Sequence, residues 1–205
     1  MSDHSIPPEP QLAAPGAGLP WLELQVARQL FWWNFRRSDR VSAAALIRTE
    51  QAKIFQLARS GPEGCGARRV LIKRLPGMED SSRHWSVFMT MDHLRIVNGF
   101  IAETLALLAR GEVPERAAST ATVKPDPQAD AAVWEGLETA CDAIARTADA
   151  IPDLRTASRF AHPWFGPLDA AGWHFMAGFH MRLHRGQIQA ILRGLENPGR
   201  GGKNG

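Results

Sequence analysis

His180 and His184 stand four residues apart in the stretch His180-Met181-Arg182-Leu183-His184-Arg185-Gly186-Gln187, inside a segment with the periodicity of a long helix. At 3.6 residues per turn, this spacing stacks both imidazoles on one face. Trp173, Met176, Ala177, Ile188 and Ile191 fall on or beside the same stripe, which directs the pair into a core. Neutral imidazole ligates divalent metals, and an i, i+4 pair can grip one ion while leaving positions for a third residue and water. The other reading of the same spacing is a pair of core histidines satisfied by hydrogen bonds, because HxxxH alone is common in helices.

His93 extends the pattern. It lies in a second long segment where Met89, His93, Ile96, Phe100 and Leu107 recur at three- and four-residue steps, so it also turns to the core. Three imidazoles from two helices match a site of three protein ligands with one open position, the catalytic rather than the structural arrangement. An ion held in this way lowers the pKa of bound water or binds a thiolate. Gln187, one turn beyond His184, is placed either to orient a histidine from behind or to pack as a polar helix-interface residue. His174 projects off the stripe and reads as an edge or exposed position. His84 reads as a helix-start residue, and His162, before a proline, as a loop residue within reach of the site mouth. Asp92 points away from His93, toward a helix interface or the surface.

The elements that must position these groups are helices. Pro20 opens a segment from Trp21 to about Arg37, with Leu22, Val26, Leu30 and Trp33 expected on its buried side. Trp32, Trp33 and Phe35 fit core packing better than a membrane surface. Ser38-Asp39-Arg40 breaks this segment, and a second runs from Val41 to Ser60, ending at Gly61-Pro62. Residues 61–83 form a long ordered loop whose Arg68, Arg69, Lys73 and Arg74 are either solvated or an attraction for an anionic cosubstrate. Asp80, Ser81 and Ser82 offer N-caps for the His93 helix, which ends near Gly111. Asp126-Pro127 opens the next helix, to about Ala150. A second loop spans 151–168, and Asp169 caps the last helix, 170–195. No strand alternation or repeat stands out, so the architecture reads as all-α, with a domain over 20–196 and disordered tails at 1–19 and 197–205.

Composition narrows the functional classes. The chain has 205 residues, 44% of them hydrophobic, enough for a sizeable core. Lys and Arg number 24 against 21 acidic residues, with no dense basic run, so nucleic acid is not expected. No run of apolar residues is long enough to span a membrane, and the N-terminus lacks the pattern of a secretory signal. Cys65 and Cys141 make no ligand spacing, and a reduced, cytoplasmic setting follows.

Taken together, the histidines resemble the DinB-like superfamily of four-helix bundles, which includes bacillithiol- and mycothiol-dependent enzymes. That pattern places a His in the second core helix, here within Trp85-Ser86-Val87-Phe88-Met89-Thr90-Met91-Asp92-His93-Leu94, and HxxxHxxQ in the last helix, here His180, His184 and Gln187. The segment His162-Pro163-Trp164-Phe165-Gly166-Pro167-Leu168, followed by Trp173, resembles the approach to the last helix in one branch of the superfamily. The likeness covers roughly residues 20–195. It implies a DinB-like four-helix bundle with an additional or split N-terminal helix and two long ordered loops. It also implies a divalent metal, zinc or nickel first, held by His93, His180 and His184. The implied activity is a small-thiol-dependent transferase or isomerase, with a low-molecular-weight thiol and a small-molecule substrate as partners and a homodimer left open. The alternative is a non-catalytic bundle that binds a small ligand or partner protein, with a structural metal or none. The chain departs from simpler members of the superfamily in its insertions at 61–83 and 151–168 and in its split first helical region.

Overall fold

The structure is a computed structural model that describes residues 10–196; the expectations for residues 1–9 and 197–205 lie outside the described residues. Five helices follow one another, α1 (Trp21–Phe35), α2 (Arg40–Arg59), α3 (Val87–Ala109), α4 (Val133–Ala150) and α5 (Ala170–Glu196). α3 packs between α4 and α5, and α2 closes the bundle against both, so α2 to α5 form the four-helix core and α1 is the added helix. None of the described helices is long and apolar enough to cross a membrane.

The break at Ser38-Asp39-Arg40 makes two separate helices. The Asp39 carboxylate accepts from the Ser42 backbone N–H at 2.7 Å, and the Ser42 hydroxyl accepts from the Asp39 N–H at 2.9 Å. This reciprocal cap satisfies two orphan donors at the start of α2. Gly178 lets α2 and α5 approach closely, since a Cβ there would stand 2.7 Å from Leu46 and 3.2 Å from the Ile47 backbone nitrogen. Asp169 caps α5 as expected, accepting from the Gly172 N–H at 2.8 Å.

Two helix starts differ from the sequence expectation. Asp80, Ser81 and Ser82 form a single 3-10 turn, and α3 begins seven residues after Asp80, at Val87, capped by Ser86, whose hydroxyl accepts from the Met89 N–H at 3.0 Å. At the start of α4, Asp126 and Asp130 are spent on turns, each accepting from the N–H two residues on, and the helix waits until Val133. At α4 the cause is that a side chain able to cap a helix can equally close an Asx turn; at α3 the Asp80 carboxylate is instead taken up by the Ala13 N–H and Arg83.

The two long loops are ordered, and each carries a short antiparallel pair absent from the all-α expectation. β1 (Val70–Leu71) pairs with β2 (His84–Trp85), so His84 lies on a strand rather than at a helix start. β3 (Phe160–His162) pairs with β4 (Gly166–Leu168), bringing His162 opposite Gly166. Gly166 closes that turn at φ 77°, a conformation that costs glycine no Cβ clash. Strands of two or three residues are too short to leave a periodic signal.

Helix α1 buries a different face from the expected one. Phe31 is fully buried and Phe35 nearly so, whereas Leu22 is 71% exposed and Trp33 54%, with Val26 and Leu30 also exposed. Phe31 stacks on Phe165 at 4.4 Å between ring centroids and meets Phe175 and Phe179 at 5.5 and 5.4 Å. Apolar residues occupy almost the whole circumference of α1, so periodicity could not choose the inward stripe. Part of the segment expected to be a tail is also docked. The N–H groups of Ala13, Gly16 and Gly18 donate to the carboxylates of Asp80 and Glu79 at 2.8 to 3.3 Å.

Candidate metal centre

His93 on α3 and His180 and His184 on α5 meet inside the bundle, each offering a ligand atom within 4.8 Å of the other two. The Nε2 atom of His180 stands 3.2 Å from that of His93 and 3.0 Å from that of His184. The outer nitrogens are engaged elsewhere. Nδ1 of His93 donates to the Val123 carbonyl at 2.6 Å, and Nδ1 of His184 donates to Gln187 Oε1 at 2.7 Å. Gln187 Nε2 donates in turn to the Ser82 carbonyl at 2.7 Å, which fixes the orientation of the amide.

These partners settle where the protons are. In the neutral rings of His93 and His184 the single proton is on Nδ1, so both Nε2 atoms present lone pairs to the centre. His180 can offer its Nε2 proton to one of them at most, and its own Nδ1 is buried without a partner. At least one lone pair is therefore left facing another ring nitrogen. A cation at the centre relieves this for all three rings, and the chemistry of the donor set fits a divalent ion with nitrogen ligands. A proton is a poor substitute. Burial pushes His93 down to about 4 against the Val123 hydrogen bond, with Lys124 adding to the depression. Burial also holds His180 and His184 well below the ordinary histidine value, reinforced by the neighbouring imidazoles.

The surroundings lock the rings. Trp85, on β2, lies parallel to His184 at 6.1 Å and tilted against His93 at 5.1 Å. The segment bearing Val123 is tied to α3 by Asp92, which is buried, accepts from the Asp126 N–H at 2.9 Å and pairs with Arg95 at 2.8 Å. The buried Glu50 of α2 accepts from Arg182 at 3.3 Å and Arg185 at 2.6 Å, tying α2 to α5 beside the two histidines. Glu79 gathers the neighbouring loops. Burial alone would raise its carboxyl pKa, but hydrogen bonds from Thr120 and Gly16 and the charge of Lys124 outweigh this and keep it an anion.

The cluster opens onto a cavity of about 580 Å³ between α1, α3, α5, residues 116–124 and the β3–β4 turn. His162 lines this cavity, whereas Arg68, Arg69, Lys73 and Arg74 do not. Arg74 is instead held by Glu23 at 2.8 and 2.6 Å, and Arg69 donates to the His84 carbonyl, so these two serve the loop's own structure. His174 is a correction: it is buried, not at an edge, and lines a separate small cavity with Arg40 and Arg155. Cys65 and Cys141 are buried free thiols away from the cavity wall, and burial pushes Cys141 up to about 12. Sequence reasoning missed Val123, Ser82, Trp85 and Glu50. Val123 and Ser82 act through backbone carbonyls, which leave no residue-type signal.

No family model and no curated protein matches the chain. Among solved structures it is similar to TT2238, described as a four-helix bundle protein, with 19% identity and a TM-score of 0.53 over 72% of this chain and 96% of that one. The likeness establishes the helical-bundle fold.

Proposed function

We propose that His93, His180 and His184 hold a divalent metal ion, zinc or nickel first, whose remaining position faces the cavity, and that the chain is a DinB-like, small-thiol-dependent transferase or isomerase. The observation that carries the metal reading is the set of converging Nε2 lone pairs, two of them committed to the centre by Val123 and Gln187. Bound there, the ion would supply Lewis acidity to a thiolate or a water molecule.

The chain's own residues prepare that chemistry. Burial keeps the three imidazoles neutral, so their lone pairs are not lost to protons at neutral pH. Gln187 and Val123 set the tautomers, and Trp85 shields one side of the cluster. Both cysteines are buried elsewhere, so a reacting thiol must come from a cosubstrate. The thiol and the class of reaction rest on the family resemblance of the histidine pattern.

Metal content of protein purified without a histidine tag tests this, before and after reconstitution with zinc or nickel. One equivalent per chain is expected, falling to near zero in His93→Ala and His184→Ala. A wild-type protein that takes up neither ion would overturn the proposal.

A further inference from the structure

The cavity beside the histidine cluster is walled mainly by apolar side chains, Phe100, Trp173, Met176 and Phe179 from the helices and Trp164 and Phe165 from the β3–β4 turn. Its volume of about 580 Å³ falls within the roughly 300–1,000 Å³ of pockets that enclose drug-sized ligands. Most charges on its edge already have partners: Glu23 pairs with Arg74, Glu79 with Lys124 and Arg182 with Glu50. Arg116 is exposed at the rim. A polar body seated on such a wall would lose its water without recovering hydrogen bonds, so the wall favours an apolar one.

One uncommitted donor interrupts this wall. The Nδ1 of His162 accepts from the Trp164 N–H at 3.1 Å, which places the proton of the neutral ring on Nε2. The ring is clamped between Phe165, stacked at 4.8 Å, and Trp173 at 5.5 Å. Burial keeps it neutral, at about 3. Its Nε2 has no protein hydrogen-bond partner among the described residues, and the ring lines the cavity. The result is a pre-set N–H donor in an apolar chamber, held by a turn whose backbone supplies the orienting hydrogen bond.

We propose that the site takes an apolar alcohol or carbonyl compound whose body lies against the aromatic wall of the cavity, and that His162 Nε2–H positions it by donating to the substrate oxygen. The inference rests on the proposed function only for the place of the reacting atom, at the three-histidine cluster. The apolar wall and the His162 donor do not depend on an ion.

Calorimetric titration with 2-naphthol and with naphthalene, in metal-free and zinc-treated protein, tests it. Saturable 2-naphthol binding is expected in the metal-free protein. His162→Phe should weaken 2-naphthol about five- to tenfold, the worth of one neutral hydrogen bond, and leave naphthalene within about twofold. His162→Gln, which keeps a donor, should retain most of the 2-naphthol affinity, and Val97→Trp, which fills the chamber, should lower binding of both probes at least about tenfold. Absence of saturable binding, indifference to Val97→Trp, or an equal loss of both probes in a folded His162→Phe would overturn the proposal. Zinc that fails to bind while 2-naphthol binds overturns the metal reading alone; zinc uptake without naphthol binding overturns this one alone.

Discussion

Gln187 bridges the last helix and the loop before α3 through His184: its Oε1 accepts from His184 Nδ1 at 2.7 Å while its Nε2 donates to the Ser82 carbonyl at 2.7 Å. The amide is fully buried, so neither bond is replaced by water when it is lost. Through this link the ring of His184 is held in one tautomer with its Nε2 lone pair directed at His93 and His180.

Replacing Gln187 by Leu should therefore lower zinc affinity about 10- to 100-fold, the usual effect of removing the residue behind a ligating histidine. Gln187→Glu keeps an acceptor for His184 but loses the donation to Ser82, and should fall between Leu and wild type. Competition against a chromophoric chelator measures all three. Equal affinity in Gln187→Leu and wild type would show that the bridge has no part in metal binding.

His184→Ala separates a catalytic ion from a structural one. A bundle of this length has enough apolar area to fold without metal, so the variant should lose its metal and any turnover while keeping the helical circular dichroism signal. A structural ion would instead contribute its binding free energy to folding. Collapse of the helical signal in wild-type protein on adding chelator at room temperature would refute the catalytic-site reading.

The sequence carried the helices that bear the histidines because both are long and rich in apolar residues, and the i, i+4 spacing of His180 and His184 together with His93 suffices to bring three imidazoles together, although α3 and the first half of α5 are buried around most of their surface. It did not carry the groups that aim the rings. Val123 and Ser82 act with main-chain carbonyls, and their positions depend on how residues 79–85 and 116–126 fold back over α3, which no local periodicity encodes. The 126–132 segment shows the same limit, since Asp126 and Asp130 could cap either a helix or a turn and take the turn. Asp92, read as an interface or surface residue, is the buried anchor that brings the Val123 segment to His93.

Acid should destabilise the metal-free protein in a defined window. Burial holds His93 and His174 at about 4 and His162 at about 3, below the ordinary value near 6.5 that these groups regain on unfolding. Between about pH 6.5 and 4 the unfolded chain binds protons that the folded chain excludes, so stability falls as pH falls through this range. Above about pH 6.5 these groups are neutral in both states and contribute no slope. A loss on the order of 1.4 kcal/mol per histidine for each pH unit inside the window gives a total of roughly 6 kcal/mol at pH 5 for the three rings. Urea midpoints at pH 7.5 and pH 5, with chelator present, measure it; equal midpoints would mean that these rings are hydrated in the native state.

The two faces of α1 should respond to truncation with very different magnitudes, although both are aromatic. Phe31 is enclosed by Phe165, Phe175 and Phe179, so Phe31→Ala leaves a cavity between α1, the β3–β4 turn and α5 and should cost about 3–5 kcal/mol. Trp33 is more than half exposed and its main partner is Arg37, 3.8 Å above the ring, a contact worth about 0.5–1 kcal/mol at such a site. Trp33→Ala should therefore shift stability by no more than about 1 kcal/mol. Because Phe31 supports Phe165 and Phe179 on the cavity wall, Phe31→Ala should also weaken apolar ligands, while Trp33→Ala should leave their binding unchanged. Urea denaturation together with 2-naphthol titration reads both effects, and a larger stability loss from Trp33→Ala than from Phe31→Ala would place the inward face of α1 on the wrong side.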